Sequence, residues 1–245
     1  MIVNNGLCFS DLHGGAGKKN RFDILIDVLR SYGSDYETLI LLGDILDEIR
    51  SPSGYYAFEQ LAKVWQVIQH KFNNVIICAG NHDPIWTMFP KTMETFAGYT
   101  NTASSLDCHI TVYGSTGAAI TIGDKNVRIL HGDVFDQAWS KTKDVVSAYL
   151  RTEGYINRWL MRNRMKPLSY YTAKAGHKLG ETYIEKIVDY AMETFHVEDH
   201  IIMGHMHRQG IHERGDRNLI CIGDWFEHRT YAEITNGQLL LKEVK

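Results

Sequence analysis

Val75-Ile76-Ile77-Cys78-Ala79-Gly80-Asn81-His82-Asp83 passes from an unbroken apolar run to four residues of a different kind. An apolar, β-branched run bounded by polar residues predicts a strand covered on both faces. The Gly80-Asn81-His82-Asp83 cluster then falls at the strand's carboxyl end, the edge where ligands bind in open α/β sheets. An amide of metal-ligand type (Asn81), an imidazole of acid/base type (His82) and a carboxylate suited to orient it (Asp83) arrive there together. Taken alone, the cluster is equally consistent with a turn whose Asn and Asp cap a following helix.

Working outward, the same pattern recurs. Upstream, Leu7 to Ser10 leads into Asp11-Leu12-His13, and Thr38 to Leu42 leads into Gly43-Asp44-Ile45-Leu46-Asp47-Glu48. Phe22, Leu25, Ile26 and Leu29 lie between them at helical spacing, which makes a βαβ unit. A second helical stripe, Phe58, Leu61, Ala62, Trp65, Ile68 and Phe72, precedes the opening stretch. Downstream, Cys108 to Tyr113 and Ala118 to Ile122 read as strands, and a Gly123-Asp124 turn leads into Val127 to Leu130, ending at His131-Gly132-Asp133. The antiparallel character of this region predicts a second sheet packed on the first. Ile184, Ile187, Val188, Ala191, Met192 and Phe195 mark an amphipathic helix expected to pack on a sheet. Ile201 to Met203 ends at Gly204-His205-Met206-His207-Arg208. Leu219 to Ile222 and Thr230 to Ile234 flank Gly223-Asp224-Trp225-Phe226-Glu227, and Gln238 to Val244 closes the chain as a strand.

The 245 residues, 44% apolar and 22% charged, suit one globular α/β domain spanning 1–245, without internal repeats or a linker. A net charge of -3 conceals an asymmetry. Between Trp139 and Gly180 nine basic residues face two acidic ones, interleaved with Trp139, Tyr149, Tyr155, Trp159, Tyr170 and Tyr171. Residues 139–180 are therefore expected to form a helical cap insertion that meets an anionic partner. Cys8, Cys78, Cys108 and Cys221 are far apart and read as small buried hydrophobes, which predicts a reduced, cytoplasmic setting. No stretch suits a transmembrane helix, which leaves peripheral membrane contact open.

Five strand ends thus carry Asp11 and His13, Asp44, Asn81 and His82, His131, and His205 and His207. A lone histidine is usually a hydrogen-bonded residue and nothing more; recurrence at one structural address is what makes a shared site the better explanation. The types suit two divalent cations roughly 3.5 to 4 Å apart with a bridging carboxylate, a role open to Asp44. Imidazole, carboxylate and amide oxygen without thiolate favour manganese, with iron or zinc as alternatives. Paired cations lower the pKa of water and clamp phosphate oxygens, so a phosphoester is the natural substrate.

The ordered set D-x-H, G-D-x-x-D, G-N-H-D, H-G-D and G-H-x-H, from Asp11 to His207, resembles the calcineurin-like metallophosphoesterase superfamily. The resemblance implies a four-layer α-β-β-α sandwich of two mixed sheets. It implies that Asp11, His13 and His207 hold one metal, that Asp44 bridges, and that Asn81, His131 and His205 hold the other. His82 would protonate the leaving oxygen or stabilise the transition state, with Asp83 orienting it. Spacing is most similar to the UDP-2,3-diacylglucosamine diphosphatase-like branch, which has a helical insertion between H-G-D and G-H-x-H and an arginine after the latter, here Arg208. In that setting Arg158, Arg162 and Arg208 would contact a diphosphate, and Trp159, Leu160, Met161 or Met165 the lipid or sugar. Branch members usually carry arginine where this chain has His82. The alternatives are a nucleotide or nucleic-acid phosphodiesterase, a broad-specificity phosphatase of the same fold, and a non-catalytic metal-binding scaffold.

Overall fold

The computed structural model describes residues 1–14, 21–46, 55–82, 108–136, 152, 156, 159 and 181–244. Among them are two six-stranded sheets. The first has the order β12-β11-β2-β3-β4-β5, built from β2 (Gly6–Phe9), β3 (Thr38–Leu42), β4 (Asn74–Cys78), β5 (His109–Tyr113), β11 (Thr230–Thr235) and β12 (Gln238–Glu243). Its β2, β3, β4 and β5 run parallel, and β11 and β12 are added antiparallel at the β2 side. The second has the order β1-β6-β7-β8-β10-β9: β1 (Ile2–Val3), β6 (Ala118–Ile122), β7 (Lys125–Leu130), β8 (His200–Met203), β9 (Gln209–Arg214) and β10 (Arg217–Ile222).

Strand residues alternate between two cores, as a period of two requires. Cys8, Ile40, Leu42, Ile76 and Cys78 of the first sheet meet Ile120, Ile129, Ile202 and Ile222 of the second in the central layer. Their neighbours Leu7, Phe9, Leu39, Leu41, Val75 and Ile77 point the other way, onto α1 (Arg21–Ser31) and α2 (Tyr55–Lys71), where Leu25, Leu29, Trp65 and Ile68 receive them. On the far side, Leu130, Ile201, Met203 and Leu219 pack against α3 (Glu181–Thr194). The buried Ile184, Ile187, Val188, Ala191 and Met192 of α3 recur every three to four residues, the stripe a helix needs to cover a sheet. Four layers result. Strands buried on both faces explain the continuous apolar runs of the sequence.

One expectation is corrected. Cys108 to Tyr113 does not open the second sheet: β5 pairs in parallel with β4, from Asn74 beside His109 to Cys78 beside Tyr113. Hydrogen bonds from His109 N to the Asn73 carbonyl (2.7 Å) and from Ala79 N to the Tyr113 carbonyl (2.9 Å) hold both ends of the pairing. The antiparallel region starts one strand later, at the β6–β7 hairpin. Of the cap expected over 139–180, only Thr152, Ile156 and Trp159 are described, each helical; the remainder lies outside the described residues.

Candidate metal centre

Parallel pairing brings the carboxyl ends of β2, β3 and β4 to one edge, and β7 and β8 end together in the facing sheet. Backbone hydrogen bonds continue past the strands: Asp11 N to Gly43 O (3.1 Å), His13 N to Asp44 O (2.8 Å) and Gly204 N to His131 O (3.0 Å). Two further bonds cross between the sheets. His131 Nδ1 lies 2.8 Å from the Leu42 carbonyl, and His205 N donates to Asp11 Oδ2 at 3.0 Å. The edge is thereby fixed before any ligand is considered.

Asp11, His13, Asp44, His205 and His207 all have positive φ, between 44° and 64°. Left-handed backbone is strained for residues with a side chain and persists where surrounding structure over-determines it, commonly at functional sites. Close packing adds a second constraint. A Cβ on Gly80 would lie 2.2 Å from Asp44 Oδ1, and one on Gly204 would lie 1.7 Å from Ser10 Oγ, so both glycines are required by the approach of neighbouring chain.

The side chains converge in three overlapping sets whose candidate donor atoms lie within 4.8 Å of one another: Asp11, His13 and His207; His13, Asp44 and His82; and Asp11, Asp44 and His131. Asp11, His13 and Asp44 are each common to two of the sets, and Asp44 faces three imidazoles: His131 at 3.5 Å, His13 at 3.7 Å and His82 at 4.0 Å. Asn81 Oδ1 lies 3.1 Å from His131 Nε2. Asp83, Arg158 and Arg162 lie outside the described residues. Arg208 is largely exposed, 3.9 Å from Glu181.

The donor set fits divalent cations on two grounds. Asp11 is fully buried, yet its Oδ1 accepts no hydrogen bond; it faces His207 Nε2 at 3.2 Å and His13 Nε2 at 3.7 Å. A buried anionic oxygen left in this way is costly unless a cation completes it. His131 is the second ground. Its Nδ1 donates to the Leu42 carbonyl, so its Nε2 can sit beside the Asn81 and Asp44 oxygens only if it carries a proton or a cation.

Charge distribution follows the same logic. Burial works to raise the Asp11 and Asp44 pKa values, but the neighbouring imidazoles overcome it and hold both carboxyls well below the ordinary range. Burial works to lower His131 and His207, and the facing carboxylates overcome that too: His131 rises well above its usual value and His207 to about 9. In the metal-free protein, imidazolium protons therefore supply the positive charge that cations would supply.

Three residues escaped the sequence reading as participants. Ser10 Oγ, 2.5 Å from Asp11 Oδ2 and 2.7 Å from the Leu42 carbonyl, braces the first carboxylate. Asp136 Oδ2 lies 3.2 Å from His205 Nε2. Fully buried Asp224 lies 3.9 Å from His207 Nδ1, while its oxygens accept from His228 Nδ1 and from the Glu227 and His228 amides. Asp224 sits within a stretch already singled out, whereas Asp136 follows a single 3₁₀ turn (Asp133–Phe135) with nothing in the sequence to mark it.

A model of the calcineurin-like phosphoesterase family matches residues 7–209. No curated protein matches the chain. Similar solved structures include a phosphodiesterase from an archaeon, at 13% identity over 98% of this chain and 99% of that one, with a TM-score of 0.49. A hypothetical protein from Pyrococcus horikoshii is 12% identical over 100% of this chain and 88% of that one, with a TM-score of 0.50. A Streptococcus pneumoniae protein described as a predicted phosphoesterase is 12% identical over 98% of both chains, with a TM-score of 0.42. At these identities the likeness is one of fold.

Proposed function

The chain belongs to the calcineurin-like phosphoesterase family, which with its Asp/His clusters implies a metal-dependent phosphoester hydrolase, and from that premise we propose a dinuclear enzyme that hydrolyses a phosphodiester or diphosphate bond. The observation that carries the reading is the central position of Asp44, facing His131 on one side and His13 on the other. Asp11, His13 and His207 would hold one cation, Asn81, His131 and His205 the other, and Asp44 both. Manganese suits this mixture of imidazole, carboxylate and amide, with iron and zinc as alternatives. When bound, the metals supply Lewis acidity to the phosphoryl oxygens and lower the pKa of the attacking water.

The chain's own groups provide the rest. His82, nearly buried, has its backbone N–H tied to Asp44 Oδ1 at 2.8 Å and its ring 4.9 Å from that of His13. It is thereby held at the rim of the cluster, suited to give a proton to the leaving oxygen, with Asp83 next in sequence to orient it. Phe226, its ring 5.4 Å from that of His13, supplies an apolar wall beside the metals. Arg208 lines a pocket of about 270 Å³ with Met206, Ile184 and Ile211, next to the G-H-M-H stretch. Arginine there, with Arg158 and Arg162 in the basic segment, suits a diphosphate.

For substrate we favour the UDP-2,3-diacylglucosamine diphosphatase-like class, because the basic segment also offers exposed apolar groups: Trp159 is 62% and Ile156 41% exposed. Four buried free thiols agree with a cytoplasmic setting. No helix among the described residues is long and apolar enough to cross a membrane. The interleaving of basic and aromatic residues also supports a second reading, a nucleotide or nucleic-acid phosphodiesterase.

The test is manganese-dependent hydrolysis of a UDP-linked acylated glucosamine, a generic aryl phosphodiester and an aryl phosphomonoester, with His82→Ala and Asp44→Ala as controls. Preference for the UDP-lipid by orders of magnitude is expected. Cleavage of the generic esters alone would discard the lipid class and turn attention to nucleotides. Hydrolysis undiminished in both variants would remove the proposed centre from the reaction.

A further inference from the structure

We infer that Asp136, braced by Tyr183, is a positioning residue that commits His205 to bind its metal through Nδ1. The inference rests on the dinuclear reading and concerns which nitrogen of which ring takes part. His205 Nε2 lies 3.2 Å from Asp136 Oδ2. A carboxylate oxygen can only accept, so this ring nitrogen carries the proton and the remaining lone pair is on Nδ1. The second oxygen of Asp136 accepts a hydrogen bond from Tyr183 Oη. The chain Tyr183, Asp136, His205 therefore runs from α3 to the metal centre.

Each link has its own anchor. Tyr183 belongs to the first turn of α3, whose Ile184, Ile187 and Val188 are buried against the second sheet. Asp136 ends the single 3₁₀ turn after β7, its backbone N–H bonded to the Asp133 carbonyl at 3.1 Å, and Phe135 beside it is buried in the same core as α3. His205 is in left-handed backbone at φ 64°, with its own N–H on Asp11 Oδ2. Main chain is thus fixed at every link, and the ring's remaining freedom, rotation and tautomer, is what the Asp136 carboxylate removes. A carboxylate behind a metal-binding imidazole is a recurrent way to orient the ring and raise its basicity.

His207 provides the contrast within the same motif. Its Nε2 also faces a carboxylate, Asp11 Oδ1 at 3.2 Å, but that oxygen accepts no hydrogen bond and belongs to a candidate ligand of the same metal, so there a cation would replace the proton, and the two histidines of Gly204-His205-Met206-His207 would present opposite ring nitrogens to their metals. The carboxylate on its other side, Asp224, stands 3.9 Å from Nδ1 and already accepts His228 Nδ1 at 2.5 Å. Loss of Asp136 should therefore be felt by one metal and not by both.

The experiment is calorimetric titration of metal-free protein with Mn²⁺, for wild type, Asp136→Ala, Asp136→Asn and Tyr183→Phe. Far-UV dichroism and the Tm of each metal-free form are measured in parallel. Wild type is expected to take two equivalents. Asp136→Ala should retain one equivalent at wild-type affinity and weaken the other about 10- to 100-fold. Asp136→Asn, which keeps an acceptor oxygen, should recover part of that loss, and Tyr183→Phe should weaken the same equivalent by less. Two equivalents at unchanged affinity in Asp136→Ala would overturn the inference while leaving the dinuclear reading intact. So would equal weakening of both equivalents together with a fall in metal-free Tm, which is the signature of a merely structural residue. Wild type that binds no metal, or only one equivalent, would overturn the dinuclear reading and this inference with it.

Discussion

Gly204→Ala is the sharpest probe of the claim that the strand edge is fixed by close packing. The new Cβ would lie 1.7 Å from Ser10 Oγ and 2.6 Å from both Ser10 Cβ and Asp11 Oδ2. Comfortable separations are about 3.5 Å or more, so the Ser10–Asp11 main chain must retreat by about 1 Å. Turning the Ser10 hydroxyl aside relieves only the first contact and loses its bond to Asp11 Oδ2 or to the Leu42 carbonyl. Overpacking costs about 1 to 3 kcal/mol and the lost bond to a charged acceptor about 1.5 to 3. A total of about 2.5 to 6 kcal/mol lowers Tm by about 5 to 24 °C in a chain of this size. Asp11 moves with the strand, and a 1 Å misplacement can cost about 100-fold in turnover. The assay is the Tm of metal-free protein, calorimetric Mn²⁺ affinity and hydrolysis of a generic aryl phosphodiester. Adding Ser10→Gly removes two of the three contacts, so Tm should recover more than metal affinity. A Gly204→Ala protein with wild-type Tm and wild-type Mn²⁺ affinity would refute the packing argument.

The raised His131 and His207 pKa values make metal uptake proton-linked: cations must displace protons, so Mn²⁺ affinity should rise with pH up to about 9. Calorimetry in buffers of different ionisation enthalpy should find proton release at pH 7, and a count of zero would contradict the cluster electrostatics. Without metal, the same pairs act on stability in both directions. The raised imidazoles stabilise fully below their unfolded pKa near 6.5, and this is lost as pH rises, for His207 through about 9; the depressed Asp11 and Asp44 stabilise above about 4, and this is lost as pH falls. Metal-free Tm should therefore peak between about pH 4 and 6.5. Glu233 offers a control outside the Asp/His cluster: it accepts from Tyr36 Oη and Thr235 Oγ1 and pairs with Lys242 at 3.2 Å. Glu233→Ala should cost about 1 to 3 kcal/mol of stability with kcat and Mn²⁺ affinity unchanged; a loss of turnover at full metal occupancy would show that this edge of the sheet is coupled to the Asp/His cluster. Charge reversal at Arg158 and Arg162 should raise KM more than it changes kcat, and unaltered kinetics would make the basic segment irrelevant to substrate.

What the sequence made legible follows from the physics of the strands. Leu39, Ile40, Leu41 and Leu42 are all buried because helices cover one face of β3 and the second sheet the other, so the strand announces itself as a continuous apolar run and its end as an abrupt change to Gly43-Asp44. Shorter and wetter strands give no such signal. Ile2–Val3 has two residues, and Gln209–Arg214 is an edge strand with exposed positions that reads as polar. Pairing is less legible still, since β5 pairs with β4 in parallel, and a parallel register is not set by a tight hairpin turn that the sequence could show. At the site, the types and order of the candidate ligands were visible because each follows a strand. The device that aims them was not. Asp11, His13, Asp44, His205 and His207 all take left-handed backbone at or just past strand ends, and a bare Asp or His does not advertise it. Nor does Asp136, whose significance arises only when β8 carries His205 beside the 3₁₀ turn that follows β7. The candidate ligands are thus encoded locally, while the residues that brace them are assembled by the fold.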